Sequence, residues 1–188
     1  DETVHLLGSE FKYARYQPLT YYEGESEQHE RQSQRNMGKF MKILIIKRLE
    51  SSLHAFRLTL DRFIHSYERV IDEFQKGNVY ISKKHINKVF EALEGDNQEI
   101  IERLLDEDKA ERLNAKDFSA DFLPDLQRDY GILCEVRDHW AKVTRDQKWE
   151  SFCEVLKSQP ALKIGKLIIF TESQETATYL AGRIGKEV

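Results

Sequence analysis

IIKRLESSLHAFRLTLDRFIHSYERVIDEF, residues 45–74, is the stretch whose reading decides the fold. Ile46, Leu49, Leu53, Phe56, Leu60, Phe63, Tyr67, Val70 and Phe74 recur at alternating spacings of three and four residues. That alternation puts one apolar seam along a helix. It predicts a single helix over residues 38–76, roughly 57 Å long at 1.5 Å per residue. Ile64 and Ile71 widen the seam, as packing against more than one partner requires. Gly77 and Asn78 then supply residues that accept left-handed backbone and end the helix. Ser51 and Ser52 stand out, because adjacent serines are poor interior helix formers. Arg48, Arg62 and Arg69, seven or fourteen residues apart, form a basic line beside the seam. Such a line could face phosphates, with Ser51 and Ser52 near enough to hydrogen-bond them. The chemistry alone favours a solvated face with local pairs such as Lys47 with Glu50 or Arg57 with Asp61.

Downstream, Ser82 can cap a helix bearing Ile86, Val89, Phe90 and Leu93, and Asn97 can open another with Ile100, Ile101, Leu104 and Leu105. Beyond Pro124, Leu126, Tyr130, Leu133, Val136, Trp140 and Val143 make a second long stripe, the natural antiparallel partner of the first. Residues 86–129 hold 13 acidic against 6 basic side chains. A segment so charged is unsuited to lying along a phosphate backbone, and it reads as an inserted acidic cap. Upstream, residues 1–37 lack a sustained period and read as an extended arm and linker, with the polar stretch 23–36 either a linker or a frayed helix start. Tyr13, Tyr16, Tyr21 and Tyr22 could stack on bases. The preferred reading has them pin the arm to a neighbouring surface.

With 3 prolines and 9 glycines in 188 residues, long uninterrupted elements are expected. No apolar run approaches the roughly 20 residues of a bilayer span, so the expectation is a cytoplasmic protein with no membrane partner. Cys134 and Cys153 have no metal-ligand spacing and read as reduced core residues. Phosphate-loop, dinucleotide, zinc-protease and serine-hydrolase motifs are all missing from the sequence. No metal ligands and no catalytic residues are therefore assigned.

The ending differs in kind. KLIIFTESQETATYLAGRI, residues 166–184, opens on a continuous apolar run of the type found in a strand buried on both faces of a parallel sheet. Ser173 can cap a helix behind it, whose N-terminal amides suit a phosphate; the bland alternative is an ordinary strand–helix junction with Ser173 and Glu175 as local caps. One such strand cannot form a sheet alone, and the chain stops just after the helix, which reads as a cut end. This stretch resembles the motif IV region that opens the second RecA-like lobe of superfamily 2 helicases. IIKRLESSLHAFRLTLDRF (residues 45–63) resembles a helix of bacterial Swi/Snf-like members. There it precedes a helical insertion and then motif IV, the order seen here. FKYARYQPL (residues 11–19) is similar to the arm leading into that region, and Asp146-Gln147-Lys148 to the family's lead-in.

The resemblance implies a fragment of an ATP-dependent helicase or DNA translocase. ATP and magnesium would bind elsewhere in the full-length protein, so this chain alone would be inactive. It also implies double-stranded DNA as the nucleic-acid partner and a missing first helicase lobe as the protein partner. Thr171 and Ser173 would sit by the nucleic-acid track, with Lys148, Lys47, Arg48, Ser51 and Ser52 as further contacts. The fold class expected is mainly α. Long antiparallel helices (residues 38–76 and 125–143) carry a helical cap (78–125), and one strand–helix unit (146–188) comes from a truncated α/β lobe. The rival reading is a stand-alone helical protein-interaction module, in which residues 166–184 finish as a packed appendage.

Overall fold

The computed structural model describes residues 2–81, 111–159, 167–171 and 173–187, and the fold is mainly α. Short helical turns at Glu2–His5, Leu6–Glu10, Ala14–Tyr16 and Pro18–Thr20 lead into α1 (Gln28–Ser51) and α2 (Leu53–Gln75). Strands β1 (Asn78–Ile81) and β2 (Glu111–Asn114) pair antiparallel, Asn78 opposite Asn114 and Ile81 opposite Glu111. Then come α3 (Phe122–Ala141), α4 (Gln147–Ser158) and α5 (Gln174–Glu187).

The expected single helix over residues 38–76 is two helices. At Ser52 the backbone is extended, with φ −156° and ψ 153°, and its hydroxyl accepts a hydrogen bond from Ala55 N at 3.0 Å. Ser52 therefore ends α1 and caps α2, the role for which serine is suited and an interior helical site is not. Before the break the buried face falls one residue earlier than the apolar seam. Ile45, Arg48 and Ser52 are buried, while Ile46, Leu49 and Leu53 are only half-buried. Beyond it, Phe56, Leu60, Phe63 and Tyr67 are buried as the spacing requires. The helix ends at Gln75, and Gly77 adopts φ +88°, a left-handed conformation that a Cβ disfavours.

The second stripe forms α3 and packs antiparallel on α2. Phe74 meets Phe122, Tyr67 bonds Asp129, and Phe56 meets Trp140, so one helix ascends as the other descends. Arg57 closes the top of the pair by donating to the carbonyls of Trp140 and Val143, each at 2.6 Å. A guanidinium there satisfies acceptors that a helix C-terminus leaves open.

The arm is made of helical turns rather than being extended, and of the two readings of the polar stretch, linker or helix start, the structure has helix from Gln28. Gln34 explains part of this: it is buried on α1, and its Oε1 accepts from Leu19 N at 2.6 Å. The tyrosines pin the arm. Tyr16 packs on Phe63, Tyr21 on Phe122 and Tyr22 on Phe118, with ring centroids 4.9–5.5 Å apart. Asp129, fully buried on α3, holds the arm's bend. Its carboxylate accepts from Lys12 N at 2.7 Å, Ala14 N at 2.9 Å and Tyr67 OH at 2.9 Å. Between those two amides Tyr13 sits at φ 58°, and its hydroxyl donates to the Leu7 carbonyl.

The helical cap expected over residues 78–125 begins instead with a strand. Val79 and Ile81 turn inward and Tyr80 outward, the period of two that a half-buried strand shows. The helices expected at Ser82 and Asn97 lie outside the described residues. Cys134 and Cys153 are free thiols, half-buried rather than in the core.

Candidate functional site

Four of the residues singled out in the sequence, Arg48, Ser51, Ser52 and Ser173, converge where the start of α5 meets the α1–α2 break. Ser173 precedes α5, and its Oγ accepts from Thr176 N at 3.3 Å, a helix cap. The first turn of α5 then lies against the break. Thr176 Oγ1 is 2.9 Å from both Ser51 Oγ and Ser52 Oγ. Glu175 Oε1 accepts from Arg62 Nη1 at 2.9 Å, and its Oε2 lies 3.5 Å from Arg48 Nη1 and accepts from Ser173 Oγ at 3.0 Å. Burial disfavours the Glu175 charge, but the Arg62 hydrogen bond, the field of Arg48 and the Ser173 hydroxyl outweigh it. They hold the carboxyl below its ordinary value.

Arg48 of α1 and Arg62 of α2 meet at one carboxylate, Glu175, across the break at Ser52, so the fold rather than a fourteen-residue helical spacing brings them together. Arg48 is 3% exposed, and Ser52 and Ser173 are also buried. Arg48, Ser52 and Ser173 are thus buried in this junction rather than open to solvent, and each makes a polar contact within the protein. Half-buried Ser51 belongs to the same cluster. For Arg48 and Arg62 the solvated face with local pairs gives way to ion pairs with Glu175. The local pair drawn for Arg57 gives way to its helix-end contacts. Thr171, Lys47 and Lys148 are exposed. Thr171 accepts from Ser173 N at 3.3 Å, which turns the chain into α5.

A second contact set steadies the far side of α5. Asp146 caps α4 by accepting from Trp149 N at 3.0 Å, and its other oxygen accepts from Tyr179 OH at 2.9 Å. Tyr179 stacks on His54 of α2 with centroids 4.9 Å apart, and Arg183 lies over the Trp149 ring at 4.3 Å. The helix-capping character of Asp146 was open to a sequence reading; its bond to Tyr179 was not. Sequence reasoning assigned Glu175 only a local capping role and gave Thr176 and Tyr179 none beyond their place in the resemblance. An acidic residue at the first turn of a helix signals a cap, and nothing in that pattern reveals two distant arginines.

Just before this docked helix the apolar run is bare. Leu167 is 45% exposed, Ile168 74%, Ile169 37% and Phe170 90%. The strand expected there is not formed: residues 167–171 have no assigned strand pairing among the described residues. A strand of this composition needs neighbours on both faces and both edges, and the described residues provide none. Among the described residues, no group of three or more His, Cys, Asp or Glu side chains is placed to hold a metal ion. None of the described helices is long and apolar enough to cross a membrane. Comparison with protein-family models, with curated proteins and with solved structures finds no match to this chain.

Proposed function

We propose that this chain is the helical domain and the lead-in to the second motor lobe of an ATP-dependent Swi/Snf-like helicase or DNA translocase. In that setting it helps couple ATP hydrolysis to movement along duplex DNA, with the first lobe as its protein partner. One observation carries the reading: a bare, strand-forming apolar run leads directly into a helix that is firmly docked. A central strand of a parallel sheet has this character where its neighbours are supplied by other chain segments. The rival interaction module expects the same run to be packed, and the exposure of Ile168 and Phe170 counts against it.

The docking cluster gives the proposal a mechanical form. Glu175, held by Arg62 and Arg48, and Thr176, held by Ser51 and Ser52, join the first helix of the lobe to the bend between α1 and α2. A displacement of the lobe is then passed to the helical domain as a rigid movement. Thr171, exposed at the end of the apolar run, is the residue of this segment left to meet the nucleic-acid track. ATP and magnesium enter only through other parts of the full-length protein, since the sequence has no phosphate loop. The test uses that intact protein. Thr171→Ala is expected to lower DNA-stimulated ATPase activity several-fold while leaving the unstimulated rate unchanged. ATP hydrolysis indifferent to duplex DNA in the unsubstituted protein would sink the proposal.

A further inference from the structure

Charge is distributed along α1 in a way that docking of α5 does not account for. Residues 31–49 include six basic side chains (Arg31, Arg35, Lys39, Lys42, Lys47 and Arg48) and no acidic one, in a chain whose net charge is −4. Arg48 is used by Glu175, and Arg31 by Ser26 Oγ and the carbonyls of Tyr22 and Gly24. Arg35 and Lys39 are exposed, and among the described residues neither has a hydrogen-bond or ion-pair partner. They stand four residues apart, with Lys42 three further, so like charges share one helical face. That placement repels itself and opposes the helix.

The same face borders an open cavity of about 390 Å³ between α1 and the arm. Lys12, Gln17, Thr20, Arg35, Lys39 and Lys42 line it, together with Tyr13 and Gly38, and none of these is acidic. At Gly38 the helix backbone comes close to the arm, where a Cβ would be in ordinary contact with Tyr13 Cβ and Gln17 Cδ at 3.6 Å. The arm side is fixed in place. Lys12 Nζ is bonded to Asp125 at 2.8 Å, Gln17 Nε2 donates to the Lys12 carbonyl at 2.8 Å, and Lys42 Nζ donates to the Gly8 carbonyl. Two anchored cations and two without partners thus surround one concavity built on rigid elements.

We infer that this cavity is a binding site for the phosphate backbone of nucleic acid, with Arg35 and Lys39 making the principal contacts. The inference rests on the proposed nucleic-acid partner and moves the main contact from the α5 junction to the middle of α1. Arg35 to Lys42 covers about 10 Å of helix axis, enough to face roughly three phosphates of one strand. The lining is mainly cationic, and phosphate contacts carry no sequence information, so binding is expected to be sequence-independent and salt-sensitive.

The test measures binding of a labelled DNA duplex, and of one of its single strands, to the full chain over a series of salt concentrations. Arg35→Glu with Lys39→Glu is expected to weaken duplex binding at least tenfold at low salt. The slope of log affinity against log salt should fall by about 1.8, or about 0.9 for each lost contact. Both residues are exposed, so helical circular dichroism and the melting midpoint should be unchanged. Lys142→Glu with Lys157→Glu makes the same change in charge elsewhere and should leave the slope intact. Equal loss in that control, or an unaltered slope in the cavity variant, would overturn the site. Unsubstituted chain that binds neither form of DNA at low salt would overturn it as well. The translocase reading is judged separately, by DNA-stimulated ATPase activity of the intact protein.

Discussion

Asp129 fastens the arm to the helix pair with neutral donors, whereas Glu175 fastens α5 to the α1–α2 break with two guanidinium groups. Both are carboxylates on helices, and each holds a segment that has little core of its own. Their surroundings push them in opposite directions. Burial raises the Asp129 carboxyl from its ordinary 3.8 to about 6, against the lowering effect of the bonds from Lys12 N, Ala14 N and Tyr67. Glu175 is lowered, because Arg62 and Arg48 more than offset its burial. A carboxylate met by dipoles remains costly to ionise, while one met by charges does not. The arm anchor is thus set deep in the core and tied to the whole fold. The α5 anchor lies at its margin, so its removal is expected to loosen α5 alone.

Removing each anchor tests that distinction. The largest effect is expected from Asp129→Ala, which strands two backbone amides and the Tyr67 hydroxyl in the interior. Unfolding by denaturant should show a loss of roughly 3 kcal/mol, with arm and helix pair failing together. An arm that detaches while α2 and α3 stay intact would dissolve the contrast. Next comes Glu175→Gln, for which hydrogen exchange in α5 should quicken on the order of tenfold while α2 and α3 amides keep their protection. Equal loss of protection everywhere would show that the α5 anchor is also part of the global unit.

Wild-type pH dependence gives a third comparison, and its sign separates the two groups. Asp129 binds its proton more tightly in the folded chain, so its stabilising contribution is full below about pH 3.8 and is lost as pH rises through about 6. Glu175 runs the other way: its contribution is present above the ordinary 4.5 and is lost as pH falls through its lowered value. Between about pH 6 and 4.5, acidification should therefore strengthen arm protection without releasing α5. The comparison of exchange rates, corrected for the intrinsic pH dependence of exchange, checks this. Asp129→Ala should abolish the arm's response alone.

The apolar spacing made α2, α3 and their antiparallel pairing legible, and Gly77 marked the helix end. The tyrosines were read correctly as pins because large rings with polar tips are easiest to satisfy at a packed junction. The break at Ser52 was hidden by that same spacing, since hydrophobic residues continue in step on both sides of it. Counting apolar residues also could not show that the buried face of α1 includes Arg48 and Ser52. Their burial depends on Glu175 and Thr176, more than a hundred residues further along. The serine pair did carry a warning in its low helix propensity. β1 was missed because four residues, Asn78 to Ile81, give a period of two too little length to compete with a helical expectation. The strand expected at residues 167–170 has the right composition, but hydrogen-bonded neighbours are a property of the surrounding fold.

The positions of the two tryptophans add an optical consequence. Trp140 closes the end of the α2–α3 pair, with its Nε1 donating to Thr3 Oγ1 of the arm and its ring edge-on to Phe56. Trp149 is buried beneath Arg183 and beside Tyr179 of α5. Each indole therefore views a different fastening, and replacing one with phenylalanine leaves the other as a single-site emission probe. Light from Trp140 follows the departure of the arm, and light from Trp149 follows the departure of α5, without any label attached to the chain.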